Sequence, residues 1–183
     1  MKHLTILLVA ICCCLESVAS FKEFHQYGLR HLTQNDGLAN NTVYSVHQDE
    51  TGYLWIGTDV GISRYDGVHF HNYELVNIEP QSIKRICEME KDELLWLKLG
   101  RYTQIACFDK SSGKYLSLES EDDGLLTGIN DICVADSTLY AITKNGVLKL
   151  NYERKETSIQ ITPETVVNQK FPPVSMFCDY NGL

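Results

Sequence analysis

The histidines and cysteines, six and seven in number, have the widest chemical reach in this chain. His69 and His71 stand two apart in a β-prone run, so both leave one face of a strand. With a third ligand they could hold a metal ion. No supporting cluster accompanies them, and they read as the solvent face of an outer strand. His25, His31 and His47 have no partner at meaningful spacing. Cys87, Cys107, Cys133 and Cys178 could form disulfides or bind zinc, but no close C-x2-C pair exists. Three of them recur after an apolar residue (Ile86-Cys87, Ile132-Cys133, Phe177-Cys178), which suits small buried hydrophobes on inner strands. Trp55, Trp96 and Tyr140 could stack on sugar rings, yet their recurrence places them in a core instead. Arg64, before Tyr65-Asp66, could pair with a carboxylate of a neighbouring repeat. The expectation is no catalytic residue, no metal and no cofactor, with ligand-binding residues unassigned.

The elements that position these residues are organised around Thr42–Gly67. Thr42–Gln48 alternates as a strand, with Val43, Ser45 and His47 on one face and Tyr44, Val46 and Gln48 on the other. Asp49 to Gly52 is a turn: the Asp accepts backbone N–H bonds and the Gly supplies positive φ. Tyr53–Thr58 is a second strand and Ile62–Tyr65 a third, separated by a turn at Gly61. Asp66 and Gly67 turn into a fourth strand, Val68–Tyr73. Gly57 lies in the second strand, and with Asp49, Gly52, Gly61, Asp66 and Gly67 it serves geometry rather than chemistry.

One four-stranded sheet has two bare faces and needs something to pack on. The chain supplies copies. The aromatic of the second strand returns as Trp55, Trp96 and Tyr140, and the preceding strand returns as SIKRICEM, INDICVAD and PVSMFCD. A period of roughly forty to forty-five residues with four strands per repeat predicts β-propeller blades. They fall near 34–76, 77–119 and 120–162, with the start of a fourth at 163–183. The fold class is all-β, an incomplete ring of about three and a half blades.

Residues 36–67 carry a further signature: Asp36-Gly37-Leu38, Asn40-Asn41, Val43 to Val46, Gln48-Asp49, Gly52, then Leu54 to Thr58, Gly61-Ile62 and Arg64 to Gly67. This closely resembles the two-component regulator propeller repeat, which builds the periplasmic sensor region of hybrid two-component histidine kinases of Bacteroidetes type. The second copy lacks the turn Gly, and the third has Tyr140 for Trp and no Gly in its first turn. The resemblance implies a non-enzymatic sensor of a carbohydrate or oligosaccharide, relayed to a cytoplasmic kinase absent from this chain. The partners it implies are an oligosaccharide ligand, the remaining blades and signalling domains of the parent protein, and a second copy in a homodimer.

Residues 1–20 read as a signal peptide: Lys2 and His3, an apolar run from Leu4 to Leu15, and small residues Val18-Ala19-Ser20 before Phe21. Ile11 ahead of Cys12-Cys13-Cys14 is bulky where a lipoprotein signal needs a small residue. The chain is therefore expected in the periplasm, with the parent held in the inner membrane by a segment downstream. Phe21–Thr33 sits where later repeats place the outer strand of a preceding blade. The mature part is short of four blades at about forty-two residues each, and Asp179 to Leu183 mirrors Asp49 to Leu54 just before the next Trp is due. The expectation is a fragment of a longer protein.

Hydrophobic content of 44% and charge of 22% fit a folded β protein. A net charge of −8 without a basic run excludes nucleic acid as a partner. Binding groups in propellers gather on rim loops, here Asn35–Asn41, Asn77–Ser82 and Glu121–Asn130. Two other readings stay open. One is a propeller enzyme of streptogramin-lyase or quinoprotein kind, which needs acid–base or metal groups converging on the axis. The other is a secreted interaction scaffold.

Overall fold

In the computed structural model of the chain, residues 29–75, 82–100, 104–121, 124 and 128–168 are described. The targeting segment, most of Phe21–Thr33, Cys178 and the expected fourth blade beyond Asn168 lie outside them. The chain divides into two compact units, Met1–Leu32 and Thr33–Leu183, and the blades lie in the second.

Among the described residues, twelve strands form three blades. Blade 1 holds β1 (Val43–Gln48), β2 (Leu54–Thr58), β3 (Gly61–Tyr65) and β4 (Phe70–Glu74). Blade 2 holds β5 (Ile83–Met89), β6 (Leu94–Leu99), β7 (Ile105–Asp109) and β8 (Lys114–Ser120). Blade 3 holds β9 (Ile129–Ala135), β10 (Thr138–Thr143), β11 (Gly146–Arg154) and β12 (Ser158–Asn168). Within each blade successive strands pair antiparallel, as short turns between neighbours require.

Register fixes the repeat. Trp55 lies opposite His47, Trp96 opposite Cys87 and Tyr140 opposite Cys133. The first turn is solved differently in each blade. Gly52 takes φ 89° in blade 1, a conformation that costs glycine little. Blade 2 puts Glu93 there at φ 54°, and blade 3 closes with a two-residue turn, Asp136-Ser137, at φ 48° and 56°. Two positive φ values in a two-residue hairpin match the right-handed twist of the flanking strands.

Two cores lie between the blades. Trp55, Ile62 and Leu75 of blade 1 pack on Ile86, Leu95, Leu97, Ala106 and Phe108 of blade 2. Trp55 meets Phe108 edge-on at 5.6 Å between ring centroids. On the opposite face of blade 2, Leu94, Trp96, Ile105 and Cys107 pack on Ile129, Ile132, Leu139, Ala141, Leu148 and Leu150 of blade 3. Each buried large side chain contributes about 1.5–3 kcal/mol, so alternate residues of β6 hold the two interfaces at once. Gly57 permits the close approach at the inner edge: a Cβ there would fall 2.6 Å from the Ile83 carbonyl oxygen and 2.4 Å from Ser45 Oγ.

Blades 2 and 3 are also joined edge to edge. β12 pairs parallel with β8, Ser158 opposite Ser117 through Ile161 opposite Ser120. The result is an eight-stranded sheet folded over its own core, beside the four-stranded sheet of blade 1. The first residues of β12 use both edges: Ile159 to Ile161 pair with β11 on one side and β8 on the other, while the rest of the strand, to Asn168, pairs with β11 alone.

Candidate functional site

Asp49 organises the first turn and ties it to the core. Its carboxylate accepts the Thr51 and Tyr53 backbone N–H groups, each at 3.0 Å, and the Thr51 hydroxyl at 2.6 Å. The other oxygen accepts the buried indole N–H of Trp55 at 2.8 Å. Burial pushes this carboxyl up, but those bonds and the Lys110 charge outweigh it and hold its pKa below 3.8. Asp49 is thus both turn-maker and partner of the core tryptophan.

A polar chain then crosses from blade to blade along the same rim. Lys110 of blade 2 lies 3.8 Å from Asp49 and bonds Glu88, whose other oxygen meets His47 Nε2 at 2.7 Å. Lys110 stands three residues after Cys107, the partner of Trp96. Tyr152 stands three residues after Lys149, the partner of Tyr140, and it reaches back in the same sense. Its ring packs on Trp96 at 5.4 Å and its hydroxyl bonds Asp92. Burial, reinforced by Asp92, raises the Tyr152 pKa and keeps the phenol protonated. Arg154 completes this second junction, donating to the Asp92 carbonyl at 3.0 Å and the Asp109 carboxylate at 2.8 Å. On the inner strands Arg85 grips Asp131 with two bonds, at 2.7 and 2.9 Å.

Beside the second junction, blades 2 and 3 part to leave a cleft of about 560 Å³. Its apolar lining residues are Met89, Val134, Leu139 and Leu150, of which Leu139 and Leu150 are almost wholly buried. Its walls carry Lys91 and Asp92 from blade 2 and Asp136, Ser137, Lys149 and Asn151 from blade 3. Strand direction puts this cleft on the rim of the β1–β2, β5–β6 and β9–β10 turns, opposite the rim of the loops expected to bind. The volume falls within the range of small-molecule sites, roughly 300–1,000 Å³. Its polar groups can donate and accept hydrogen bonds.

The Asn35–Asn41 loop is held both to blade 1, where Ala39 N–H donates to Ser63 Oγ and Gly37 O accepts from Asn72, and to itself. Thr33 and Asp36 form a capping box, Asn41 Oδ1 accepts Gln34 N–H and Asn40 Oδ1 accepts Thr42 N–H, both at 2.8 Å. Asn77–Ser82 is described only at Ser82, and Glu121–Asn130 only in part. Trp55 and Trp96 are buried in the two inter-blade cores, while Tyr140 is half-buried and outside both. Gly61 and Gly67 take φ 147° and 98°, and Asp66 accepts Val68 and His69 N–H at 2.8 and 2.6 Å. His69 and His71 are exposed, and the described residues contain no group of three metal-ligating side chains. Cys87 is half-buried, and Cys107 and Cys133 are buried. Arg64 stacks over the Tyr53 ring at 4.7 Å, with no hydrogen-bond partner for its Nε among the described residues. Tyr53 and Trp55 border its face of the sheet.

None of the cleft residues carries a recognisable motif. The one available signal is the turn of the third repeat, where Asp136 and Ser137 stand in place of a glycine. No helix among the described residues is long and apolar enough to cross a membrane.

Comparison with known proteins places blade 1. Residues 37–60 match the family model of the two component regulator propeller. Over 52 residues the chain is 33% identical to Histidine kinase P4 of Formosa agariphila, a match covering 28% of this chain and 4% of that protein. Two structures of the extracellular domain of BT4673 from B. thetaiotaomicron share the fold. One, titled a hybrid two component system, superposes with a TM-score of 0.60 at 19% identity over 87% of this chain. The other, titled a one component system, gives 0.57 at 20% identity over 83%. The chain spans 22% and 21% of those two structures.

Proposed function

We propose that this chain is part of the extracytoplasmic input region of a hybrid two-component sensor histidine kinase, a non-enzymatic module that takes a carbohydrate ligand. The observation that carries the reading is the two component regulator propeller match on blade 1, set in a fold shared with the extracellular domain of a two component system. The targeting pattern of residues 1–20 agrees with export. In this reading the ligand biases a receptor dimer, and the kinase that answers belongs to the rest of the parent protein, with its inner-membrane anchor. The cleft chemistry is compatible, since it offers groups that donate and accept hydrogen bonds.

In-frame deletion of the codons for residues 33–168 from the source genome tests this reading. Transcription is recorded during growth on a panel of polysaccharides. Loss of induction by one polysaccharide supports it. Unchanged induction on every member overturns it.

A further inference from the structure

We infer that Arg64 and His71, on the face of blade 1 beside Tyr53, form a binding site for an oxyanion: a carboxylate, sulfate or phosphate group. The inference stands apart from the sensor reading, and neither depends on the other.

Unmet donors come first. Arg64 lies directly opposite His71 across β3 and β4, so both side chains leave the same face of the blade. The Arg64 Nε is buried without a hydrogen-bond partner, and no carboxylate among the described residues pairs with the guanidinium. Aromatic faces hold it instead. Its central carbon lies 4.7 Å from the Tyr53 ring centroid and 6.0 Å from that of Trp55. Stacking fixes the plane of the group but satisfies none of its N–H donors. An unmet buried donor is costly, and more so on a charged group, which favours any acceptor that can reach it. Arg64 is only partly buried and His71 is exposed, so an acceptor can arrive from outside. A turn of the guanidinium in its own plane over the Tyr53 ring brings Nε and one Nη to the open side. That planar fork takes two oxygens of one group side by side.

Local charge points the same way. Asp66 is the carboxylate two residues along, and it is already used. It accepts the Val68 and His69 N–H groups at 2.8 and 2.6 Å and lies 3.8 Å from His69 Nδ1. It also acts on His71 through space. One carboxylate against Arg64, His69 and His71 leaves this corner short of negative charge whenever either imidazole is protonated. The fold does not require an arginine here. Opposite the aromatic in the same register, blade 2 has the buried Cys107 and blade 3 has Lys149, whose counter-ion Glu164 lies at 4.0 Å. Of the three blades, blade 1 alone keeps a cation at this place with no counter-ion among the described residues, in a chain of net charge −8.

The test is NMR titration of the purified, isotope-labelled chain with sodium sulfate, sodium phosphate and sodium acetate, at ionic strength held constant with sodium chloride. The readout is the Nε–H resonance of Arg64, which reports on the donor itself. The expected result is a saturable shift of that resonance with at least one oxyanion, accompanied by the His71 amide. A response to acetate assigns a carboxylate, and a response to sulfate or phosphate alone assigns a tetrahedral anion. Arg64→Lys keeps the charge and loses the fork, and it is expected to weaken binding about tenfold, the loss of one good charged hydrogen bond. His71→Asn is expected to weaken binding as well. Three results overturn the inference: no oxyanion gives a saturable shift, chloride alone gives the same shift, or either variant binds as tightly as the native chain. Where Arg64→Lys fails to fold, the Nε–H resonance of the native chain and His71→Asn decide the matter. Each of these failures leaves the sensor reading as it stands.

Discussion

Asp49→Asn removes one charge and changes one atom, and its cost can be worked from the geometry. In the native chain one oxygen serves the turn and the other accepts the Trp55 indole N–H at 2.8 Å, with Lys110 at 3.8 Å. An asparagine can keep the turn bonds through its carbonyl oxygen. Its NH2 then faces two donors, the indole and the ammonium. The buried indole loses its acceptor, which costs about 1–3 kcal/mol, and the loss of charge assistance raises the total to about 2–4 kcal/mol. At this chain size that lowers the melting temperature by on the order of 10 °C. Urea unfolding followed by tryptophan fluorescence reads the change. A cycle with Trp55→Phe isolates the bond, and non-additivity of about 1–3 kcal/mol is expected because the residues touch. The pH dependence has a definite sign. Because the folded pKa lies below 3.8, the native advantage over the variant is complete above pH 3.8 and fades as pH falls through the lower folded value. A variant within about 0.5 kcal/mol of the native chain at pH 7, or strict additivity with Trp55→Phe, would refute the reasoning.

Other outcomes follow from the same contacts. Trp96→Ala empties the centre of the blade 2–3 core and should cost about 3–5 kcal/mol in urea unfolding. Gly57→Ala drives a methyl into the Ile83 carbonyl and Ser45, so a loss of at least about 1–3 kcal/mol is expected, and equal stability would mean β1 and β5 are not closely apposed. Glu93→Gly relieves a left-handed glutamate and should raise stability by roughly 0.5–1 kcal/mol after the entropy that glycine loses on folding. Burial pushes the Cys107 thiol up to about 12, so iodoacetamide at pH 8 should leave it unmodified in the folded chain and label it in urea, as mass spectrometry can show.

Much of the blade was legible because its determinants are local. Alternation within β1, the Asp49–Gly52 turn and the spacing from Trp55 to Trp96 act over a few residues or recur at one period. They fix strand direction, hairpin register and the side on which each aromatic lies. Matching the aromatics also identified Cys87 and Cys133 as equivalent, and both stand opposite their aromatic across the hairpin. His47 occupies the same place in blade 1, which the alignment did not reveal because its chemistry differs.

The contacts between blades were not legible. His47 meets Glu88, Arg85 meets Asp131 and Arg154 meets Asp109 across 41, 46 and 45 residues of chain. Nothing in the pattern of one strand names its partner in another blade. Arg64 is a further case: the facing strand places Tyr53 and Trp55 beside it, which its own strand does not reveal.

Sequence by itself therefore determined the all-β class, the four-strand repeat and which residues make its turns, since backbone propensity and alternation are short-range. Tertiary structure alone decided that β8 and β12 pair in parallel, which side chains join the blades, and where a cleft opens between them. Those outcomes depend on which strand edges and side chains of one blade meet those of the next, and the residues concerned lie far apart in the chain.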